Sequence, residues 1–339
     1  MRHGAPPQFQ AEAALALPFE TLDAILRHEA EEHGLTLRSG HGRSTWLEIG
    51  GGEFGARQDG TGSLVYARAH SRDWLFTLQE AAVAHLDEHV PGHVLRWTGP
   101  EQAGAMPPNF SLARVAGVTR IGARFLRLRL EGSGVERLAR DMIHFRIVLP
   151  RPDGDTRWPH LSETGQTVWP DDLHRPAYTV SAIDPATGWM ETDVFVHEGG
   201  RTCGFATDAL PGIQVGLIGP GGGGIPRTPH LVIGGDETAY PALSRIIAAQ
   251  SLQTRIEVHL LGATEDYPFP DHPGRSLHHV PGGEGLLAEA LVDADGYWFA
   301  TEKSRLQPLK RAIHGRLGIA KQNAHLAAYW SEARTGREV

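Results

Sequence analysis

Three groups of residues have the types and spacing to do chemistry. The first is the run Leu231-Val232-Ile233-Gly234-Gly235-Asp236-Glu237-Thr238-Ala239-Tyr240-Pro241-Ala242, where an apolar strand ends in two glycines and an acidic N-cap opens a helix. Glycines there let a ligand approach the backbone, and the free N–H groups of a helix start favour an anion, so the pattern fits a nucleotide crevice at the end of a parallel strand. An ordinary strand-to-helix turn with an acidic cap has the same letters. The second group is Arg175-Pro176-Ala177-Tyr178-Thr179-Val180-Ser181, then His197, then Gly204-Phe205-Ala206-Thr207. A Tyr-Thr pair on a strand offers a ring to pack on an aromatic ligand and a hydroxyl to bond it, while small residues at 204–207 leave backbone N–H groups open to phosphate. The third is electrostatic: Lys303, Arg305, Lys310, Arg311, Arg316 and Lys321 have no Asp or Glu among them. Leu306, Leu309, Ile313 and Leu317 supply the inward face of a helix and Pro308 suits its first turn, leaving the cations outside, where they can draw in an anion.

Other candidates carry less. His85, His89 and His93 have ligand spacing only while a helix lasts, and Pro91-Gly92 ends it. His28 and His33 sit about 140° apart around a helix, unlike the metalloprotease pair. No metal site is expected. Gly221 to Gly224 lacks the Lys-Ser/Thr pair and the helix of an NTPase phosphate loop. Cys203 is the single cysteine, which excludes an internal disulfide, a Cys-paired zinc ribbon and a Cys-ligated iron–sulfur cluster, and fits a reducing compartment. The net charge of −8 disfavours a nucleic-acid partner. The apolar run from Ala13 to Phe19 is too short for a membrane span or a signal-peptide core, so the expectation is cytoplasmic, with no membrane partner.

These residues need elements to position them, and 339 residues suffice for two or three domains. Residues 19–33 read as a helix stopped by Gly34, Ser44–Ile49 and Ser63–Arg68 as strands around Gly50-Gly51-Gly52, and Ser71 as the cap of a second helix with Trp74, Leu75, Leu78, Ala82 and Leu86 inward. With a Pro- and Gly-punctuated linker, this makes a small α+β domain over 1–104. Short strands at 114–118, 124–130, 143–149, 178–183, 191–197 and 214–218 predict an antiparallel barrel over 105–227. Strands at 231–233, 256–261 and 296–300, alternating with helices at 240–249 and 286–291, predict a parallel α/β sheet over 228–339 with a basic C-terminal helix.

Taken in order, Asp141-Met142-Ile143-His144 ahead of Leu149-Pro150, Trp158-Pro159, Tyr178-Thr179-Val180, Phe195-Val196-His197, Gly219-Pro220, Gly235-Asp236-Glu237-Thr238-Ala239 with Pro241-Ala242, and Tyr329-Trp330 resemble the siderophore-interacting proteins, the FAD-dependent ferric-siderophore reductases. The resemblance covers roughly residues 110–335, and its most specific element is the run from Gly235 to Ala242. It implies a ferredoxin reductase-like pair of domains, a six-stranded FAD barrel and a Rossmann-like NAD(P)H domain. It implies FAD at Arg175, Tyr178, Thr179, Val180, His197, Gly204, Ala206 and Thr207, and NADPH or NADH at Gly235, Asp236, Glu237, Thr238, Pro241 and Glu302. A ferric siderophore would approach Lys303, Arg305, Lys310 and Arg311, with no side chain acting as acid or base and a monomer as the working state. Residues 15–90 look like a small domain of unknown function that accompanies some of these proteins. Pro176, Ser181, Ala209 and Ile213 depart from the family's flavin motif, and they motivate a different reading, a non-catalytic carrier or sensor of siderophore or nucleotide. A flavin reductase with another acceptor is the further alternative.

Overall fold

The computed structural model describes residues 7–98, 102–140, 142–263, 266–280 and 283–332; residues 1–6, part of the expected linker (99–101) and Asp141 lie outside the described residues. The chain divides into two compact units, one of residues 1–112, 150–175 and 216–220, the other of 113–149, 176–215 and 221–339.

In the first unit, β1 (Phe9–Leu15), α1 (Phe19–His33), β2 (Thr36–Gly40), β3 (Ser44–Ile49), β4 (Gly52–Asp59), β5 (Gly62–Ala69) and α2 (Arg72–His89) follow one another. The strands form an antiparallel sheet of order β1-β5-β4-β3-β2. Alternation sets its inner face: Ser63, Val65, Ala67 and Ala69 of β5 are buried. Helix α1 buries Phe19, Leu22, Leu26 and Glu29 along one stripe and ends at Gly34, whose φ of 64° places it in the left-handed region. Helix α2 starts where expected, with the Ser71 hydroxyl accepting from the Trp74 N–H at 3.4 Å. The turn Gly50-Gly51 leads from β3 into β4, not directly to β5. β4 escaped the sequence reading because Gly-Glu-Phe-Gly-Ala-Arg-Gln-Asp has no clean alternation; a Cβ on its Gly55 would sit 2.4 Å from the Thr45 carbonyl oxygen. The short pair β9 (His160–Leu161) and β10 (Thr167–Val168) also belongs to this unit.

The barrel strands are β6 (Phe110–Ile121), β7 (Phe125–Glu131), β8 (Met142–Val148), β11 (Ala177–Thr179), β12 (Ala182–Asp184), β13 (Trp189–Phe195) and β14 (Gln214–Gly224), in the order β11-β8-β14-β6-β7-β13-β12. The single strand expected at 178–183 is thus two short ones at opposite ends of the sheet. Only Val180 and Ser181 separate them: the Val180 N–H bonds Ile143 O on β8 at 2.9 Å and the Ser181 N–H bonds Glu191 O on β13 at 2.8 Å. The sheet therefore closes through this segment into a barrel of six strands, counting β11 and β12 as one bent strand. The small residues at 204–207, expected to leave backbone N–H groups open, fall within helix α3 (Arg201–Asp208).

The α/β part runs β15 (His230–Gly235), α4 (Tyr240–Ala248), β16 (Arg255–Leu260), β17 (Arg275–His279), α5 (Gly283–Ala290), β18 (Gly296–Glu302), α6 (Leu306–Lys310) and β19 (Ala324–Trp330). The sheet order is β17-β16-β15-β18-β19, with every pair parallel. Phe125 and Ile143 of the barrel share a core with Leu231, Ile233, Tyr240, Ile246 and Trp298 of the α/β part. The Phe125 ring is fully buried, with ring centroids of Tyr267 at 4.7 Å, Phe195 at 5.4 Å and Tyr240 at 6.2 Å. Phe125→Ala should cost about 3–5 kcal/mol, read as a lower urea midpoint; a loss below about 1 kcal/mol would mean that this aromatic cluster does not hold the unit together.

Candidate functional site

The parallel strands converge at their carboxyl ends, where Gly235, Leu260 and Glu302 stop side by side. In open α/β sheets this edge faces the ligand crevice. Asp236, just past β15, is buried and spends both carboxylate oxygens on protein. Its Oδ1 accepts from the Thr238 N–H at 3.0 Å and from the Thr238 hydroxyl; its Oδ2 accepts from the Thr301 hydroxyl at 2.9 Å and from the Trp330 indole N–H at 2.9 Å. One carboxylate thus caps the turn before α4 and ties β15 to β18 and β19. Glu237 reaches the other way, accepting from the Ala263 N–H at 2.8 Å beyond β16. Pro241 is buried in the first turn of α4. The glycines of this turn have a structural cause as well: a Cβ on Gly235 would meet the Ala300 carbonyl oxygen at 2.2 Å, and one on Gly234 the His259 carbonyl oxygen at 2.5 Å. Close strand packing, rather than ligand approach alone, demands them.

Glu302 ends β18 in a similar way. Its Oε2 accepts from the Ser304 hydroxyl and from the N–H groups of Ser304 at 2.6 Å and Arg305 at 3.2 Å, and Oε1 from the Glu332 N–H at 3.2 Å. The Ser304 hydroxyl, with the backbone donors, holds this carboxyl down at about 2. Beyond it, Lys303, Arg305, Lys310 and Arg311 are all exposed as expected, with Leu306, Leu309 and Ile313 buried beneath them. Arg305 leans over the Trp330 ring at 5.9 Å, whereas Arg316 is structural, donating to the Ala288 and Leu291 carbonyls at 2.9 and 3.0 Å.

The second expected cluster lies on the barrel. Tyr178 stands on β11 opposite Phe145; burial pushes its phenol up to about 12, with the neighbouring Thr202 side chain on α3 acting against the rise. Tyr178 thus lies beside the first turn of α3, where no acidic residue stands. Gly204, Ala206 and Thr207 correct the sequence reading: they lie within the helix, where the Gly204 N–H is taken by Gly200 O at 3.0 Å and the Thr207 hydroxyl donates to Cys203 O at 2.8 Å. The backbone donors left open are those of the first turn, residues 201–203, because an α-helix consumes every later N–H. Ala206 is buried and faces inward. His197 is exposed, its ring stacked on Phe195 at 6.3 Å. Val180 is buried, and its carbonyl accepts from Arg245 on α4 at 2.7 Å. Arg175 falls in the first unit, its guanidinium 4.2 Å above the Trp169 ring. The Ser181 hydroxyl is buried with no partner among the described residues.

Sequence reasoning missed the link between the two clusters. The Tyr329 hydroxyl of β19 meets His144 Nε2, and His144 is the β8 residue paired with Thr179 of β11. His325 stacks on Trp298 at 5.6 Å. The tetraglycine explains how these rings fit: a Cβ on Gly222 would stand 2.5 Å from His144 Nδ1, and one on Gly223 2.9 Å from His325 Nδ1. Bare backbone is needed for two imidazoles to lie flush against β14. His144 and Tyr329 both stood in the recognised motif, which gave no hint of their contact.

In the first unit the structure also revises the reading of the histidines. His93 does bond to Val90 beyond the helix end, but His85 and His89 of α2 meet Glu29 of α1, and His33 joins them.

Comparison with known proteins places this geometry. Residues 114–224 match the family described as "Siderophore-interacting FAD-binding domain" and residues 228–333 the family "Siderophore-interacting protein". The ferric vibriobactin reductase ViuB of Vibrio cholerae is 30% identical over 236 residues, covering 63% of this chain and 86% of the relative. The NADPH-dependent ferric-chelate reductase of Escherichia coli is 27% identical over 229 residues, covering 63% and 89%. A siderophore utilization protein from T. fusca superposes with a TM-score of 0.57 at 23% identity over 70% of this chain and 98% of that one, a likeness of fold. Against the mycobactin import ATP-binding/permease protein of Mycolicibacterium smegmatis, 31% identical over 172 residues, the chain spans 20% of the relative's length. No described helix is long and apolar enough to cross a membrane.

The buried imidazole of His144 has a measurable consequence. Burial, helped by the charges of His325 and Arg245, lowers it from 6.5 to about 4. The folded state thus binds this proton less readily than the unfolded chain. The contribution is fully present above pH 6.5 and is lost as pH falls towards about 4. His144→Gln should flatten this acid-side fall in stability by up to about 3 kcal/mol, with His259, also lowered to about 4, keeping part of the slope. Urea midpoints measured across that range would show it; parallel curves for the variant and the parent would refute it.

Proposed function

Since the chain belongs to the siderophore-interacting protein family, we propose that it carries electrons from NADPH or NADH through FAD to a ferric siderophore in the cytoplasm, acting as a single chain and setting Fe(II) free. The observation that carries this reading is the placement of Tyr178 of β11 beside Thr202 in the first turn of α3. It puts an aromatic face, a hydroxyl-bearing strand and the positive end of a helix in one place, the donor set that a flavin ring and its phosphates require. The unpartnered Ser181 hydroxyl beside Thr179 and Val180 adds a polar group that a bound cofactor would satisfy. When bound, a flavin takes an electron pair from a nicotinamide and gives up single electrons, as Fe(III) reduction requires.

The chain's own residues then hold and steer. Tyr178, Thr179 and Val180 grip on one side with Arg245 bracing the Val180 carbonyl, and the turn from Gly235 to Thr238 offers the nicotinamide a fixed edge at the end of the parallel sheet. Asp236 and Glu302 act by shaping that edge, since their oxygens are already bonded to protein. His197, Gly204 and Thr207 lie on the exposed side of the flavin wall. Lys303, Lys310 and Arg311 draw in an anionic chelate. No acid–base residue is needed, because lowering the metal's charge weakens its hold on hard oxygen ligands.

The purified protein should turn yellow with FAD, bleach anaerobically with NADPH or NADH, and regain colour with a ferric siderophore as an Fe(II) trap fills. Failure to bind flavin at all would leave a carrier or sensor. Lys303→Glu with Lys310→Glu should keep the flavin yet slow chelate reduction about tenfold at low salt and far less at high salt; equal slowing at both would remove the steering role.

A further inference from the structure

The strongest unassigned cluster lies in the first unit, on the facing helices α1 and α2. Glu29 is 3% exposed, on the buried stripe of α1. Around its carboxylate, His33 Nε2 lies 3.3 Å and His85 Nδ1 2.9 Å from Oε2, while His89 Nε2 lies 2.9 Å from Oε1. Glu29 and His33 are one turn apart on α1, and His85 and His89 one turn apart on α2, so each helix presents a pair of ligand-type side chains to the other. The His28 ring meets the His89 ring edge-on at 5.3 Å.

A buried carboxylate needs partners and has room for about four donors; all three that Glu29 gathers are imidazoles, the commonest metal-ligating side chain. The spacing has a second meaning. Donors bound to one transition-metal ion at about 2.0–2.1 Å stand about 2.8–3.4 Å apart, from octahedral to tetrahedral geometry. The carboxylate-to-imidazole separations of 2.9 and 3.3 Å match this, and the donor atoms of Glu29, His33 and His85 all lie within 4.8 Å of one another. His89 binds the other carboxylate oxygen, the place of an outer partner that orients a ligand. His33 is half exposed and gives an ion a way in. His85 also borders an apolar pocket lined by Leu22, Ile25, Leu26 and Leu86, which restricts its ring on the inner side.

We propose that Glu29, His33 and His85 form a site for a divalent first-row transition metal, held by two imidazoles and one carboxylate with positions left for water. This donor set is of the class that takes Fe(II). The proposal goes beyond the electron-transfer reading and does not depend on it; if that reading holds, the Fe(II) released by reduction is a natural occupant.

The test uses the full chain, stripped of metal with a chelator and titrated with Co(II) in the absence of nicotinamide and siderophore. One saturable equivalent should appear in the visible ligand-field spectrum, and a large excess of anaerobic Fe(II), the weaker binder of the two, should displace it. His33→Ala and His85→Ala should each weaken Co(II) binding at least about tenfold, while His41→Ala, on an exposed loop, should leave it unchanged. His33 is exposed enough that its loss should not unfold the unit, which far-UV circular dichroism would verify; Glu29→Gln removes the anion but risks the core. No saturable Co(II) signal, or a signal that survives both histidine variants in folded protein, would overturn the proposal. Flavin binding and chelate reduction assayed on the same variants should be unaffected, so failure here and failure of the reductase reading are separate results.

Discussion

Asp236 is the group on which the second unit turns. Its two oxygens accept from Thr238, Thr301 and Trp330, residues on three different segments, and a buried carboxylate that lost one of those donors would lose part of the compensation for its charge. The turn before α4, the end of β18 and the end of β19 therefore share one anchor. The edge that a nicotinamide would meet is as rigid as that anchor, since nothing in Asp236 is left over to move. The acidic letter in the Gly-Asp-Glu-Thr motif is a statement about architecture first and about ligands second.

The same logic recurs at Glu302, and it separates two kinds of charge in the α/β part. Asp236 and Glu302 are turned inward and consumed, whereas the cations at 303, 310 and 311 are left on the surface. An acidic chain can thus present a positive face where it is needed without changing its overall sign.

Much of this fold was legible from hydrophobic pattern. Central strands such as β15 and β18 are buried on both faces and read as unbroken apolar runs. β17 and β19 were invisible because they lie at the two edges of the sheet, where Arg-Ser-Leu-His-His and Ala-His-Leu-Ala-Ala-Tyr-Trp carry half-exposed faces. α3 escaped the sequence reading because Gly204 depresses helix propensity in its middle, which packing of Thr202, Cys203 and Ala206 overrides. At the site, Asp236 was legible as a cap, a local property of neighbouring letters. Its bonds to Thr301 and Trp330, like the meeting of His144 with Tyr329, span distances along the chain that no periodicity encodes. The histidines show this most plainly: the spacing that mattered was Glu29 with His33, hidden beside the more obvious His28, and its complement came from another helix.

The barrel seam at Val180 and Ser181 has a mechanical consequence. An open sheet breathes at its edges, where a terminal strand peels away at the expense of one ladder. Residues 177–184 belong to both ends of the order at once, so peeling here must break the pairing of β11 with β8 and of β12 with β13 together. Tyr178 and Thr179 are accordingly mounted on the part of the wall least able to fray, and the position of the ring is insulated from fluctuations that begin on either flank.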